Sequence, residues 1–245
     1  MEPIYVQNFE IDDMLVDRFG RLKPSAVLML IQEASCHHSD LMRLDYDTLE
    51  DHDLFWAISR HRVQVTRLPQ LGEKIRVETW PMPTTRLAYP RSLVAYDENG
   101  EECFRSVSLW IMMDKNSRAM VLPKKSGIIL AGTTRGTELT VPSSLAPALS
   151  RNLGHRAVCF TDLDRNGHMN NTRCMDWIAD LLPSPFHRDH TLKDLTICYL
   201  NEAREGDSLE LHWDFLQEDV AQVDAYRRED PDHESRIFSV RIQFT

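Results

Sequence analysis

Residues 164–171 read Asp-Arg-Asn-Gly-His-Met-Asn-Asn, which sets a carboxylate, a carboxamide and an imidazole at alternate positions: Asp164, Asn166 and His168. An imidazole has an unperturbed pKa of about 6.5, so it can draw a proton from water near neutral pH. A carboxamide can hold a carbonyl or the attacking water. A disarmed copy of the run, Asp-Arg-Phe-Gly-Arg-Leu-Lys-Pro, occupies residues 17–24, 147 residues upstream (164 less 17). Asp, Arg and Gly keep their register, while Phe19 stands where Asn166 is and Arg21 where His168 is. The pattern implies a duplicated fold in which only the C-terminal half carries a reaction centre.

The elements that position this run follow from local signals. Lys23-Pro24-Ser25 starts a helix, and Ala26, Val27, Leu30, Ile31 and Ala34 recur at helical spacing behind it. After the second copy, Met175, Ile178, Ala179 and Leu182 mark a helix face over 172–182, which Pro183 and Pro185 end. Alternation predicts strands over 56–66, 74–80, 93–96 and 107–113, and again over 195–202, 208–215, 220–226 and 236–244. A second match, Gly72-Glu73-Lys74-Ile75-Arg76-Val77 with Gly206-Asp207-Ser208-Leu209-Glu210-Leu211, has an offset of 134 (206 less 72). The first half therefore holds 13 more residues between helix and strands (147 less 134). A long helix cradled by a mostly antiparallel sheet, twice over, is an α+β double hotdog. The expected domains are 1–125, inert and scaffolding, and 153–245, catalytic. Residues 126–152, rich in Gly, Pro, Ser and Thr, form the crossing between them.

The run from Phe160 to Asn171, with Trp177 after it, resembles the signature of the acyl-(acyl-carrier-protein) thioesterases, which are double hotdogs of plant plastids and bacteria. The resemblance spans nearly the whole chain and implies hydrolysis of a fatty acyl thioester, with acyl-carrier protein as partner and no cofactor or metal. It places the family's catalytic Asp, Asn and His on Asp164, Asn166 and His168. A later family segment ending Tyr-x-x-Glu-Cys is similar to Tyr199-Leu200-Asn201-Glu202-Ala203, which puts the catalytic carboxylate on Glu202 and replaces the neighbouring Cys by Ala203. A thiol at that position is thereby excluded. Without the plant members' plastid extension, the chain reads as a bacterial member.

A His168–Glu202 pair would activate water. The backbone N–H groups of Gly167 and Met169, at the head of the following helix, are expected to face the thioester carbonyl. Cys198 is an alternative nucleophile, since positions 198 and 202 of a regular strand share a face; Cys174 is a weaker one. The plainer roles are a turn for Asp164 and Gly167, a helix cap for Asn170, and core for Met29 and Trp56, which otherwise line an acyl pocket. Leu68, the counterpart of Glu202, is apolar.

Bulk properties narrow the function classes. A formal net charge of −10 disfavours nucleic acid, and an acidic partner needs a local basic patch. Arg60-His61-Arg62, Lys124-Lys125 and Arg227-Arg228 are the short basic clusters. No apolar run of the roughly 18 residues a membrane span needs is present, and no signal peptide is evident. Five scattered cysteines with no Cys-x-x-Cys spacing favour a reducing cytoplasm over a disulfide or zinc framework. A monomer or a homodimer fits two hotdogs in one chain. An acyl-CoA thioesterase and a non-catalytic acyl-thioester-binding hotdog are the competing readings.

Overall fold

In the computed structural model, which describes residues 3–230 and 233–245, the chain divides into two compact units, Met1–Pro142 and Ser143–Thr245. The first opens with β1 (Tyr5–Glu10) and the 18-residue helix α1 (Pro24–Leu41). Pro24 sits in the first turn of α1, where a missing N–H is harmless. Its buried stripe, Ala26, Val27, Leu30, Ile31 and Ala34, is the one the spacing predicts. A short α2 (Tyr46–Glu50), capped by Asp45, accounts for the extra segment of the first half. Strands β2 (Leu54–Val65), β3 (Lys74–Pro81), β4 (Tyr89–Asp97) and β5 (Glu102–Asp114) follow. The unit closes with β6 (Met120–Val121) and the single turn α3 (Pro123–Ser126).

The second unit repeats the plan: β7 (Asn152–Ala157), α4 (Arg173–Ala179), α5 (Ser184–Asp189), β8 (Leu192–Tyr199), β9 (Ser208–Gln217), β10 (Val220–Asp230) and β11 (His233–Phe244). Within the first unit the strands run β1-β3-β4-β5-β2, and within the second β7-β9-β10-β11-β8. These neighbouring strands pair antiparallel within each unit. The order is the same in both, each strand standing where its duplicate stands. Each unit is thus a hotdog, and the chain is a double one.

Two differences from the sequence reading matter for the site. The helix expected over 172–182 is broken: α4 stops at Ala179, and Pro183 caps the separate α5. The first helix has no proline in its interior and runs on for 18 residues. Strand β8 ends at Tyr199 rather than Glu202, because the Leu200 and Asn201 N–H groups both turn onto the Ile237 carbonyl. Glu202 therefore lies in a loop. The segment expected as a crossing is held down on both sides of residue 142. Arg60 and Arg105 donate to the carbonyls of Pro142 and Thr137. In the second unit, buried Asp224 accepts the Ala148 N–H, and Arg236 donates to the Leu145 carbonyl. No helix among the described residues is long and apolar enough to cross a membrane.

Candidate active site

The 164–168 run folds as a tight turn built by Asp164. One carboxylate oxygen accepts the N–H groups of Asn166 (2.8 Å) and His168 (3.2 Å), and the Asp164 carbonyl accepts that of Gly167 (3.0 Å). Gly167 has φ +74°, the left-handed region in which a side chain would be strained. The turn is closed by Asp164 N–H donating to the His168 carbonyl at 2.8 Å. The disarmed copy repeats this bond for bond. Asp17 accepts Phe19 (2.8 Å) and Arg21 (3.1 Å), Gly20 donates to the Asp17 carbonyl, and Gly20 has φ +76°. The match extends to the partner loop: Met169 donates to Ala203 as Leu22 donates to Pro69. The bridge His168–Arg204 answers Arg21–Gln70. The sequence repeat is thus a repeat of backbone hydrogen bonds.

On this shared frame the side chains diverge. In the second unit the bridge to Arg204 brings the Glu202 loop against the turn, and His168 Nε2 lies 3.3 Å from a Glu202 carboxylate oxygen. The imidazole is only 13% exposed and the carboxylate 37%, so the pair sits at the mouth of the fold rather than inside it. Asn166 is exposed, and its amide reaches the second oxygen of Asp164 at 3.5 Å. In the first unit Arg21 instead folds back onto Asp17 as an ion pair at 3.0 Å, and Leu68 is buried. The positions of the imidazole and of the Glu202 carboxylate are thus taken by a guanidinium and an apolar side chain. Asp164, Asn166, His168 and Glu202 are therefore gathered in one place, with Asp164 acting chiefly through the backbone.

Two expectations need correction. Gly167 and Met169 do not offer free N–H groups to a carbonyl: Gly167 donates to Asp164, and Met169 to Ala203 at 2.8 Å. Both residues also lie ahead of the helix, which starts at Arg173, within one residue of its expected start. Asn170 forms the entry, its side-chain oxygen accepting the Thr172 N–H and hydroxyl, both at 2.9 Å. Among the described residues, every backbone N–H from Asn166 to Arg173 except that of Asn171 donates within the fold. The counterpart of Asn171 is Pro24, which has no N–H. A sequence signal for that donor existed in the repeat alignment but is visible only once the other donors are accounted for.

The two candidate thiols are buried. Cys198 is buried on β8, its sulfur accepting the Leu145 N–H at 3.4 Å. The strand ends before Glu202, so the shared-face argument for Cys198 fails. Cys174 is buried, and desolvation pushes its thiol up to about 12, which leaves no thiolate at neutral pH. Met29 is 47% exposed on α1. Trp56 is half-buried, edge-on to Tyr89 at 4.8 Å, in an apolar cluster with Leu49 and Met112. For a metal, among the described residues, Glu210, His212 and Glu234 bring ligand atoms within 4.8 Å of one another on β9 and β11. Arg228 already pairs with Glu210 at 3.3 Å, so that group is an ion-pair cluster as it stands.

Comparison with known proteins places the whole chain in one family. The model of the acyl-ACP thioesterase N-terminal domain matches residues 2–124, and that of the C-terminal domain matches residues 150–245. An oleoyl-acyl carrier protein thioesterase of Arabidopsis thaliana is 24% identical over 223 residues, covering 83% of this chain and 61% of the relative. The chain thus spans about three-fifths of the length of that plant protein. The crystal structure of an acyl-ACP thioesterase from Bacteroides thetaiotaomicron shares the fold with a TM-score of 0.88 at 21% identity, covering 99% of this chain and 98% of the other. That of a 12:0-ACP thioesterase from Umbellularia californica does so with a TM-score of 0.83 at 20% identity, covering 100% and 98%. With both domain models matched in order along its two duplicated halves, the chain belongs to the acyl-ACP thioesterase family.

Proposed function

We propose that the protein hydrolyses fatty acyl thioesters of acyl-carrier protein to the free fatty acid and the carrier thiol. The observation that carries the reading is the His168–Glu202 contact, at 3.3 Å, on a turn whose duplicate holds Arg and Leu instead. Glu202 fixes the imidazole and favours its protonated form as it takes a proton from water. The water oxygen attacks the thioester carbonyl, and the charge that develops on the carbonyl oxygen falls to the Asn166 amide and the Asn171 N–H. Collapse breaks the C–S bond, and the His168 imidazolium returns its proton to the leaving thiolate. Asp164 holds the turn and aims Asn166. No thiol and no metal is needed for these steps.

Family membership, the plant and bacterial relatives and the intact His–Glu pair support the carrier-protein thioester as substrate. The test is release of fatty acid from a panel of acyl-carrier proteins of graded chain length, with matched acyl-CoA substrates alongside. Turnover of acyl-CoA in preference to every acyl-carrier protein would replace this reading with the coenzyme A one.

A further inference from the structure

We propose that the surface formed by Phe160, Arg165 and Arg204 is where an acidic carrier protein docks; the inference rests on the hydrolysis reading above. The loop Arg204–Asp207 lies between two parts of the site. On one side the bridge His168–Arg204 joins it to the catalytic turn. On the other, Val158 exchanges hydrogen bonds with Gly206 (3.0 Å) and Asp207 (2.9 Å), and Phe160 follows two residues later on a 3-10 turn, Phe160–Asp162. Phe160 is 77% exposed; Arg165, three residues before His168, and Arg204, bridged to His168 through the backbone, are exposed too.

Three observations point this patch at a protein with negative charge. The chain carries a net charge of −10, so an acidic partner is repelled everywhere except at a local excess of cations. The acids near the patch are largely matched: Asp207 pairs with Arg227 at 2.9 Å, and Asp162 caps the Cys159 N–H at 3.0 Å and lies 4.0 Å from Arg173. Exposed Glu205 is the neighbouring acid beside Arg204. Two of the three short basic clusters of the sequence do not provide such a face as readily, while the third, Lys124-Lys125, is exposed on α3 of the first unit, far in sequence from the catalytic turn. His61 is buried, Arg60 is tied to the Pro142 carbonyl, and Arg227 and Arg228 are paired with Asp207 and Glu210.

The duplication supplies the control. In the inert half, on the same backbone frame, Phe160 answers to Asp13 and Arg204 to Gln70, while Arg165 keeps its counterpart Arg18. Relative to the silent copy, the active copy has thus exchanged an acid for an aromatic and a neutral side chain for a cation. An exposed aromatic flanked by arginines is the composition of a protein-binding hot spot.

The test compares wild type with Arg204→Glu and Phe160→Ser on three substrates of one acyl chain: the acyl-carrier protein, the acyl-CoA and the acyl-N-acetylcysteamine thioester. Binding of the holo-carrier protein, which has no thioester to cleave, is measured beside turnover. Charge reversal should raise KM for the acyl-carrier protein about tenfold at low salt with kcat little changed, and the difference should shrink above about 0.15 M salt, where the Debye length falls to about 8 Å. Carrier binding should weaken in parallel, and KM for the N-acetylcysteamine thioester should stay within about twofold, because it lacks the protein face. Equal losses on all three substrates would show that Arg204 positions His168 instead, and would overturn the docking face. A loss shared by acyl-carrier protein and acyl-CoA alone would assign the arginine to the phosphate of the arm and overturn it too, as would no change at all. If wild type cleaves none of the three, the hydrolysis reading fails, while the carrier-binding comparison still decides the docking face.

Discussion

Replacing Asp164 and Asp17 by alanine, one at a time, separates what the repeated turn does for folding from what it does for chemistry. Each aspartate accepts two backbone N–H groups, at 2.8 and 3.2 Å for Asp164 and at 2.8 and 3.1 Å for Asp17. A hydrogen bond to a charged group contributes about 1.5–3 kcal/mol, and half-exposed ones fall below that, so each substitution should cost about 2 kcal/mol. For a chain of this length that lowers Tm by roughly 4–8 °C. Asp17 also pairs with Arg21 at 3.0 Å, which adds at most about 1 kcal/mol. The stability losses should therefore be similar, as read by calorimetry or urea denaturation. Activity should not be similar. Asp164→Ala frees the His168 backbone and releases Asn166, so kcat should fall by at least about tenfold, the effect of 1.4 kcal/mol at the transition state. Asp17→Ala should leave kcat near wild type at temperatures where it is folded. Asp164→Asn keeps an acceptor for both N–H groups, recovering most of the stability, but loses the acceptor for the Asn166 amide. Equal loss of kcat in the Asp17 and Asp164 variants would refute the division of labour. So would an Asp164→Ala protein whose Tm is unmoved.

The other expectations are shorter. Asn171→Pro removes one N–H at a position where the duplicate already holds Pro24, so the protein should fold while kcat drops by about 10²–10³, the usual cost of a lost oxyanion donor; a variant with wild-type kcat would remove that donor from the mechanism. Buried His61 has its pKa lowered to about 4 by desolvation. Its unfolded form protonates near pH 6.5 and its folded form does not until about pH 4, so stability present above pH 6.5 is lost on acidification through that window, by up to roughly 3 kcal/mol. In His61→Gln the urea midpoint should fall less steeply between pH 6.5 and 4, and an unchanged slope would contradict the assignment. Cys198→Ala and Cys174→Ala should each retain most of the activity; near-total loss in a folded protein would restore a thiol mechanism.

The repeat was the most legible feature of the sequence, because a turn built on Asp and a left-handed Gly leaves those residues little freedom. The strands were legible for the same kind of reason. Where one face of a strand is buried, alternation reports it, and strand starts at Lys74, Ser208 and Val220 agree with the pattern. Ends fared worse. Residues 200–202 follow β8 in sequence with no Gly or Pro to mark an end, yet the Leu200 N–H is turned onto Ile237, a partner 37 residues away. The donor roles of Gly167 and Met169 failed similarly. Whether an N–H is free depends on which carbonyl the fold brings to it, and Ala203 reaches Met169 only through the loop that also delivers Glu202. The polar interior was invisible: Arg91, buried on β4 against His38 at 3.1 Å and Thr79 at 3.2 Å, reads in sequence as an ordinary surface arginine. Its pKa is pulled down to about 10 by desolvation, which shows how completely packing, rather than residue type, sets that environment.

The central claim is that His168, steadied by Glu202, activates water in the second unit alone. It is tested most directly by measuring fatty acid released from acyl-carrier protein by wild type, His168→Ala, Glu202→Gln and Arg21→Ala, each checked for native fold by circular dichroism. The account predicts loss of about 10²-fold or more in kcat for His168→Ala, a smaller loss for Glu202→Gln, and activity close to wild type for Arg21→Ala. A folded His168→Ala protein that releases fatty acid at the wild-type rate would contradict it.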